Sequence, residues 1–381
     1  MSVEIEDSQR AQRPASLSSG TAGSERQRAR ARLSSSGGGR PSGAPFRDEC
    51  TETTAVCEGG AGVGRVWHLG EVVDERYRLL ELLGEGGFGA VYRAEDQERG
   101  EIVALKVLAQ SRLERSARRF RHSAELLCLL RHPAVVAGLG FGRSQGSDYL
   151  VMEDLPESYD LRALLEVRGL LPWHAAVQLT SELVSGLQYL HERGVIHRDV
   201  KLKNALLTQR GVVLIDFDLA KAIYAESWAE EDSGPIDLRS PALRLALEAS
   251  ESTQLGLTGT PLYMCPERLE GGAATPASDL YAAGLVLYKL LTGQLPHQGS
   301  LPQDLRELLA ARRQAPPSLR EDHGLDVPQA LDALLARALS PLRAERYALA
   351  GELLDDLGAV LMGGGSPPTP APPQQDRTLL A

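Results

Sequence analysis

The sequence contains few cysteines, and those it has lie far apart. Four occur in 381 residues, with no C-x-x-C spacing: Cys50, Cys57, Cys128 and Cys265. Disulfide-rich scaffolds and structural zinc sites use closely spaced cysteines, so this distribution argues against both. Because a chain that does not depend on disulfides suits a reducing compartment, the sequence predicts a cytoplasmic protein.

Long hydrophobic runs are also missing. A transmembrane helix needs about 18 or more consecutive apolar residues, and the best candidate, from Leu280 to Leu291, is interrupted by Lys289. The N-terminus, Met-Ser-Val-Glu-Ile-Glu-Asp, lacks the apolar segment of a secretory signal. The sequence therefore predicts no membrane span.

Positive charge is in deficit, because 41 Lys and Arg residues against 51 Asp and Glu residues give a formal net charge of −10. Proteins that mainly bind nucleic acid cluster Lys and Arg against the phosphate backbone, so this balance argues against such a protein. Apolar residues make up 43% of the chain, which is enough for a sizeable core. Composition thus allows a cytosolic enzyme and says no more.

The two ends of the chain differ in composition from the middle. Residues 1–70 are rich in Ser, Gly, Ala and Arg with almost no periodic apolar pattern, which predicts a disordered tail. Its arginines, such as Arg26 and Arg28, could contact an acidic partner or a membrane surface, although a solvated tail fits the intervening Ser and Gly better. Residues 363–381 are Pro-rich and predict a second disordered end.

The polar residues that most strongly suggest chemistry lie between short apolar runs in the middle of the chain. His197-Arg-Asp-Val-Lys-Leu-Lys-Asn204 comes first, and Asp216-Phe-Asp218 follows two apolar runs typical of short buried strands. This segment resembles the H-R-D-L-x-x-x-N catalytic loop and the D-F-G metal-binding segment of the eukaryotic-like protein kinases. Val200 replaces the Leu of that pattern, and Asp218 replaces its Gly.

A glycine-rich run supports the same resemblance. Gly84-Glu-Gly-Gly-Phe-Gly89 is a weak signal alone, because dinucleotide-binding loops carry the same letters. A β-type segment with Val91 and Tyr92 follows it, whereas a dinucleotide-binding loop would open a helix, so an oxidoreductase is disfavoured. Val103-Ala-Leu-Lys106 lies on the next predicted strand, where the kinase pattern has its phosphate-binding lysine.

The resemblance implies an α+β, bilobal, protein-kinase-like fold over residues 77–360. A small β-rich N-lobe (77–152) and a larger helical C-lobe (157–360) would be joined by a hinge at 153–156. The cofactors ATP and Mg²⁺ would lie in the cleft between the lobes.

The resemblance also implies roles for individual residues. Asp199 would accept the proton of the attacking hydroxyl, Lys201 would steady the γ-phosphate, and Asn204 and Asp216 would hold Mg²⁺. Lys201 resembles the Ser/Thr members of the family, so the implied partners are protein substrates with Ser or Thr acceptors. The oligomeric state stays open. The positions implied to bind the nucleotide are Leu83, Gly84, Gly86, Gly89, Val91, Ala104, Lys106, Glu153, Leu155 and Leu206.

Two departures from the family pattern leave an alternative open. Ser123 stands where the family has a helix Glu that pairs with the strand lysine, and Glu125, about 200° further around the helix, is expected to face away. Asp218 in place of Gly makes the metal-binding segment less flexible. The alternative is a pseudokinase, an ATP-binding scaffold with weak or no transfer. Because every residue that would touch metal or transferring phosphate is present, an active Ser/Thr kinase is the favoured interpretation.

Further expectations concern the C-terminal part. In the family pattern Asp279 braces the catalytic loop, and Arg346 is a buried partner for Glu267. The stretch 224–254 is long and acidic, which is typical of a functional or disordered loop. For one threonine, Thr260, a structural hydroxyl near the catalytic loop is an equal alternative to phosphorylation. The candidate autophosphorylation sites, which would pair with Arg198, are Thr253, Thr258 and Thr260.

Overall fold

The computed structural model describes residues 67–86, 89–108, 114–217, 221–222, 260–297 and 305–363. The two predicted disordered ends lie outside these residues except for 67–70 and 363, and so do the acidic stretch 224–254, Asp218, Thr253 and Thr258. Trp67 is buried, and a short strand forms at Val72–Val73. Packed structure therefore begins before Tyr77, where the sequence pattern placed its start.

An antiparallel sheet forms the N-terminal lobe. Its strands are β1 Val72–Val73, β2 Tyr77–Gly86, β3 Gly89–Asp96, β4 Glu101–Leu108, β5 Gly138–Ser144 and β6 Ser147–Glu153. They are hydrogen-bonded in the order β1-β2-β3-β4-β6-β5. Along β3, Tyr92 and Ala94 alternate inward with a period of two residues, as expected for a strand with one covered face. The helix α1, Glu114–Leu129, packs against β5 and β6.

Helices dominate the C-terminal lobe. They are α2 Leu161–Arg168, α3 Trp173–Glu192, α4 Pro266–Leu269, α5 Pro276–Thr292, α6 Leu305–Arg312, α7 Gln329–Ala338 and α8 Ala350–Leu361. Short strands lie among them: β7 Tyr159–Asp160, β8 Val195–Ile196, β9 Ala205–Thr208, β10 Gly211–Leu214 and β11 Lys221–Ala222. The strands β7, β9 and β10 form one small sheet, and β8 pairs with β11. The predicted α+β, two-lobed organisation is confirmed.

The central helix of this lobe is α5, which is buried on nearly every side. A helix that is apolar all round belongs inside a core, and this one carries the longest apolar run of the sequence. Its start is fixed by Pro276 in the first turn and by the hydroxyl of Ser278, which accepts the N–H of Thr275 at 2.9 Å. It ends at Gly293, whose φ of 78° is the left-handed conformation that glycine adopts most easily.

Backbone hydrogen bonds join the two lobes behind the cleft. The N–H of Val136 donates to the carbonyl of Leu214 at 3.0 Å, and the N–H of Leu214 donates to that of Ala134 at 2.9 Å. These bonds fasten the segment after α1 to β10, the strand that leads directly into Asp216. Among the residues that the structure describes, no helix combines the length and the apolar character needed to cross a membrane.

Candidate active site

The glycine-rich run forms the tip of the hairpin between β2 and β3, as its sequence context predicts. The last paired residues are Gly86 and Gly89. A Cβ on Gly89 would lie 2.0 Å from the carbonyl oxygen of Val107, and the φ of Gly89 is 148°, so close packing on β4 requires glycine here. A Cβ on Gly84 would meet no protein atom within 4 Å, so packing does not explain this second glycine.

A lysine from one lobe meets an aspartate from the other. Lys106 is buried on β4, and its ammonium lies 2.9 Å from a carboxylate oxygen of Asp216. Burial raises the pKa of Asp216, but the charge and hydrogen bond of Lys106 outweigh it and lower the pKa to about 2. Asp216 has a φ of 65°, a strained conformation for a residue with a side chain. An ionised carboxylate is thus held in a fixed orientation at the cleft.

Hydrogen bonds hold the side chain of Asp199 through both of its oxygens. Asn204 donates from Nδ2 to one oxygen at 2.9 Å, and the Lys201 ammonium lies 2.9 Å from the same oxygen. The backbone N–H and the hydroxyl of Thr260 donate to the other oxygen at 2.9 and 2.8 Å. Lys201 also donates to the Thr260 hydroxyl at 2.9 Å. The four side chains form one buried network.

The backbone just before Asp199 is held from below by Asp279 at the start of α5. The N–H groups of His197 and Arg198 each donate to a carboxylate oxygen of Asp279 at 2.9 Å, and His191 Nε2 donates at 2.9 Å. Burial raises the pKa of Asp279, but the hydrogen bond and charge of His191 lead a net lowering. The brace fixes Arg198 at a φ of 72°. The predicted role of Asp279 is confirmed.

His197 links the catalytic-loop segment to the segment that carries Asp216. Its Nδ1 accepts the N–H of Asp199 at 3.3 Å, and its Nε2–H donates to the carbonyl of Ile215 at 3.1 Å. Its ring packs on Phe217 with 5.0 Å between the ring centroids. Both rings are buried. The relative positions of Asp199 and Asp216 are therefore set by one imidazole between them.

A family model described as a protein kinase domain matches residues 77–355. This chain belongs to the protein kinase family. The sequence resemblance to the eukaryotic-like protein kinases is thereby confirmed.

Bacterial serine/threonine-protein kinases are among the relatives of this chain. It is 30% identical over 292 residues to a probable serine/threonine-protein kinase, CPE1738, of Clostridium perfringens, covering 76% of this chain and 39% of that protein. It is 35% identical over 303 residues to serine/threonine-protein kinase pkn2 of Myxococcus xanthus, covering 76% and 33%. It is 32% identical over 304 residues to PknB of Mycobacterium tuberculosis, covering 78% and 44%. The chain thus matches half or less of the length of these relatives.

Solved structures agree on the fold. The crystal structure of the PknI kinase domain of Mycobacterium tuberculosis superposes with a TM-score of 0.54 at 23% identity, covering 77% of this chain and 98% of that one. A second PknI kinase-domain structure gives a TM-score of 0.56 at 22% identity, covering 78% and 100%. At these identities the likeness concerns the kinase fold alone.

Helix α1 departs from the kinase family pattern in the way that its sequence predicts. Ser123 is buried at the position where the family pattern has a glutamate, and Glu125 is exposed, as expected from its place around the helix. Lys106, on strand β4, donates a hydrogen bond to the carboxylate of Asp216.

The remaining predicted nucleotide positions lie on strands around the cleft and at its hinge. Val91 on β3 is paired with Lys106, and Ala104 on β4 is paired with Met152. Leu206 lies on β9 and is half-buried, while Leu83 is exposed near the glycine tip. Among the predicted site residues, Lys106 and Asp216 form one bonded group, and Asp199, Lys201 and Asn204 form another. Leu83 and Leu206 are hydrogen-bonded to neither group.

Several contacts were not expected from the sequence. The side chain of Glu153, the first residue of the predicted hinge, accepts two bonds from Arg210 at 2.5 and 2.7 Å and one from the N–H of Ala137 at 2.8 Å. Burial raises the pKa of Glu153, but Arg210 leads the opposing effects and the net shift is downward. Glu153 is therefore bonded both to the segment before β5 and to the turn between β9 and β10.

Thr260 was expected to be either a phosphorylation site or a structural hydroxyl. Its burial and its bonds to Asp199 and Lys201 favour the structural role. Thr260 lies six residues before the Pro266-Glu267 pair, of which Pro266 is buried and Glu267 is half-buried. Arg346 is buried and bonds Glu267 at 2.8 and 3.0 Å, so their predicted pairing is confirmed.

Proposed function

We propose that this chain transfers the γ-phosphate of Mg·ATP to Ser or Thr hydroxyls of protein substrates. The observation that carries the proposal is the network around Asp199, in which Lys201, Asn204 and Thr260 hold the carboxylate at 2.8–2.9 Å. Several bacterial relatives are named serine/threonine-protein kinases. Transfer of a phosphoryl group to a hydroxyl requires a positioned carboxylate with a lysine beside it.

Asp199 would act as the base that accepts the proton of the acceptor hydroxyl. Its two oxygens are oriented by donors on both sides, so its geometry does not depend on the substrate. Lys201 lies next to it and would steady the γ-phosphate as charge moves to the leaving oxygen. Lys106 would bind the α- and β-phosphates of ATP. Its hydrogen bond to Asp216 holds its ammonium at the cleft.

The residues present fit Mg²⁺ and ATP. Mg²⁺ prefers oxygen ligands, and Asp216 offers an ionised carboxylate while Asn204, which donates to Asp199 through Nδ2, keeps its amide oxygen available. When bound, Mg²⁺ would neutralise charge on the phosphate oxygens. Gly84 leaves space beside the backbone that a side chain would fill. The proposed nucleotide contacts are Leu83, Gly84, Gly86, Gly89, Val91, Ala104, Lys106, the hinge residues Glu153 and Leu155, and Leu206.

The proposed catalytic domain spans residues 77–360, with lobes at 77–152 and 157–360 and a hinge at 153–156. A six-stranded sheet ending at Glu153 and the helices that begin at Leu161 support this division. We also propose a cytoplasmic location. The free thiols of Cys128 and Cys265 support a reducing environment. The proposed partners are proteins with Ser or Thr acceptors rather than nucleic acid.

The decisive experiment follows labelled γ-phosphate from Mg·ATP into protein. The purified chain would be assayed alone and with a mixture of Ser and Thr peptides, beside the variants Asp199→Asn and Lys106→Met. We expect label on Ser or Thr with the wild-type chain and at least about a hundredfold less with either variant. Asp355→Asn is the matched control, because it makes the same chemical change at an exposed residue of α8.

The result that contradicts the proposal is equal labelling in wild type and Asp199→Asn, or none above background in either. Thermal stabilisation by Mg·ATP, measured on the same samples, separates the causes of a negative result. Binding without transfer would indicate an ATP-binding scaffold. Absence of both would reject the nucleotide site itself.

A further inference from the structure

Arg312, at the end of α6, is a buried cation that the proposed reaction does not use. Only 2% of the residue is exposed, and its side chain is among the largest that the core encloses. Within the part of the chain that the structure describes, no Asp or Glu forms an ion pair with it. Burial of a charge is costly unless hydrogen bonds compensate for it, so the groups that hold Arg312 are informative.

Two backbone carbonyls hold the guanidinium. Nη2 donates to the carbonyl of Leu262 at 2.7 Å, and Nη1 donates to the carbonyl of Pro296 at 3.1 Å. Leu262 is the middle residue of the 3-10 turn Pro261–Tyr263, and Pro296 lies in the segment after α5. The Nε–H group is buried and donates to no acceptor among the described residues. Arg312 therefore joins α6 to two backbone segments rather than to another charged side chain.

A second buried arginine of the same lobe is held differently. Arg346 is also 2% exposed, but its two terminal nitrogens bond the carboxylate of Glu267 at 2.8 and 3.0 Å. Its guanidinium lies 4.7 Å from the ring centroid of Tyr281. Burial raises the pKa of Tyr281 to about 12, and the charge of Arg312 is the largest effect that opposes this rise. Arg312 thus lies near the same ring, but it depends on carbonyl dipoles where Arg346 has a carboxylate.

The turn that Arg312 holds leads directly to the proposed base. The turn is closed by its own hydrogen bonds, since the N–H of Tyr263 donates to the carbonyl of Thr260 at 2.9 Å. Thr260 itself donates from its N–H and its hydroxyl to Asp199, at 2.9 and 2.8 Å. The tight 3-10 geometry leaves the backbone of such a turn little freedom. Fixing the carbonyl of Leu262 therefore also restricts the two donors of Thr260.

The residues proposed to bind phosphate and metal do not share this support. Lys106 and Asp216 bond each other at 2.9 Å, and Arg312 donates a hydrogen bond to neither. Loss of the guanidinium should therefore disturb the orientation of Asp199 and leave Lys106 and Asp216 in place. A change of this kind lowers kcat and leaves KM for ATP nearly constant.

We propose that Arg312 is a positioning residue for phosphoryl transfer. It holds the turn Pro261–Tyr263, and through the turn it keeps the donors of Thr260 on the carboxylate of Asp199. The proposal rests on the proposed transfer at Asp199. Arginine suits this role because its planar guanidinium presents several donors in a fixed arrangement and can bond two carbonyls at once. An apolar residue of similar size could fill the space, but it would leave the carbonyl of Leu262 without its donor.

The kinetic test removes the guanidinium and measures both substrates. Arg312→Met fills much of the same space without a donor, and Arg312→Lys keeps the charge without the planar arrangement. We expect kcat for a Ser peptide, per Mg·ATP site counted by calorimetry, to fall about tenfold in Arg312→Met and less in Arg312→Lys. KM for ATP should stay within about twofold of wild type in both. Arg313→Met is the matched control, because it makes the same change at the next residue, whose ion pair with Glu270 is exposed.

Hydrogen exchange measures the turn directly. Amide exchange followed by mass spectrometry should become faster across residues 260–264 in Arg312→Met and stay unchanged in α5. Arg313→Met should match wild type in both places. A purely structural role for Arg312 would instead lower the urea midpoint and speed exchange throughout the large lobe, while kcat per binding site would remain that of wild type.

Wild-type kcat in Arg312→Met would overturn the proposal, and so would unchanged exchange at residues 260–264. If Arg312→Met does not fold, Arg312→Gln takes its place, since an amide is too short to reach both carbonyls, and the same two outcomes decide. Failure of the proposed function is distinct, because the wild-type chain would then transfer no label. Exchange at residues 260–264 would still show whether Arg312 holds the turn: faster exchange in the variant supports it, and equal exchange contradicts it.

Discussion

The ammonium of Lys106 lies 2.9 Å from the carboxylate of Asp216 and joins the central part of the small-lobe sheet to the segment that follows β10. The bond crosses between the lobes and unites residues 110 positions apart in sequence. It keeps Asp216 ionised, which is the state that a metal ligand needs. The consequence can be measured as a dependence of stability on pH.

The stability that the Asp216 carboxylate contributes to the folded protein should be lost in acid. Its pKa is about 2 when folded, against about 3.9 in an unfolded chain. The stability from this carboxylate is therefore fully present above about pH 4 and is lost as the pH falls towards 2. Urea unfolding of wild type and Asp216→Asn at pH 6 and pH 3 would measure it. We expect the difference between the two proteins to shrink in acid.

The size of this effect is limited because the Asp216 side chain is 34% exposed and solvent screens its charge. Asp355→Asn controls for the loss of an exposed carboxylate. The same pH dependence in wild type and in Asp216→Asn would show that Lys106 does not hold the pKa of Asp216 down.

Among the substitutions considered, Asp279→Ala should have the largest effect on the catalytic segment. Asp279→Ala would leave the buried N–H groups of His197 and Arg198 without an acceptor, together with His191 Nε2. We expect the free energy of unfolding to fall by about 2–4 kcal/mol and the transfer rate to fall with it. Urea denaturation and the labelled-phosphate assay on one preparation would measure both. A stable variant with wild-type activity would contradict the bracing role.

Removal of the Thr260 hydroxyl should affect rate more than nucleotide binding. Thr260→Val keeps the shape but removes the donor to Asp199 and the acceptor for Lys201. We expect kcat to fall about tenfold to a hundredfold with little change in KM for ATP, because the hydroxyl contacts Asp199, the proposed base, rather than Lys106. Steady-state kinetics over an ATP series would measure this.

The matched variant is Thr260→Ser, which restores the hydroxyl and should restore most of the rate. If Thr260 were instead an activating phosphorylation site, wild-type protein would carry phosphate there by mass spectrometry, and Thr260→Ser would retain it. The separate hypothesis of a switch at Thr258 is tested by Thr258→Ala, since unchanged activity would remove that residue as a switch.

Local sequence pattern predicts the strands, the glycine turn and the central helix of this kinase well. The features that it missed depend on contacts between residues far apart in the chain. The alternation on β3, the glycine tip and the apolar run of α5 are visible in the sequence because each depends on neighbours in the chain. The family pattern located Asp279 and Arg346. The bonds of Thr260 to Asp199 join residues 61 positions apart, and no local signal fixes such a pairing. The same holds for Trp67, a single buried aromatic beside a Ser- and Gly-rich run.

The Glu153–Arg210 pair, also invisible in the sequence, gives the last prediction. The two side chains are 57 positions apart, and each of the two bonds ends on a different oxygen of Glu153, so the pair has the bidentate geometry that only arginine provides. Arg210 is partly exposed, which limits the expected loss of stability in Arg210→Ala to about 1 kcal/mol. Arg210→Lys should not restore it, because an ammonium cannot bond both oxygens in this way.

The pair also ties the hinge to the large lobe, so its loss should change nucleotide affinity rather than the chemical step. KM for ATP would shift while kcat per bound nucleotide stays close to wild type, since neither Asp199 nor Lys201 contacts the pair. A double-mutant cycle with Glu153→Gln would isolate the coupling, and the matched control is Arg313→Ala, which breaks an exposed ion pair with Glu270 away from the hinge. Zero coupling energy between Glu153 and Arg210, with unaltered KM, would show that the hinge is held by the Ala137 contact and the backbone alone.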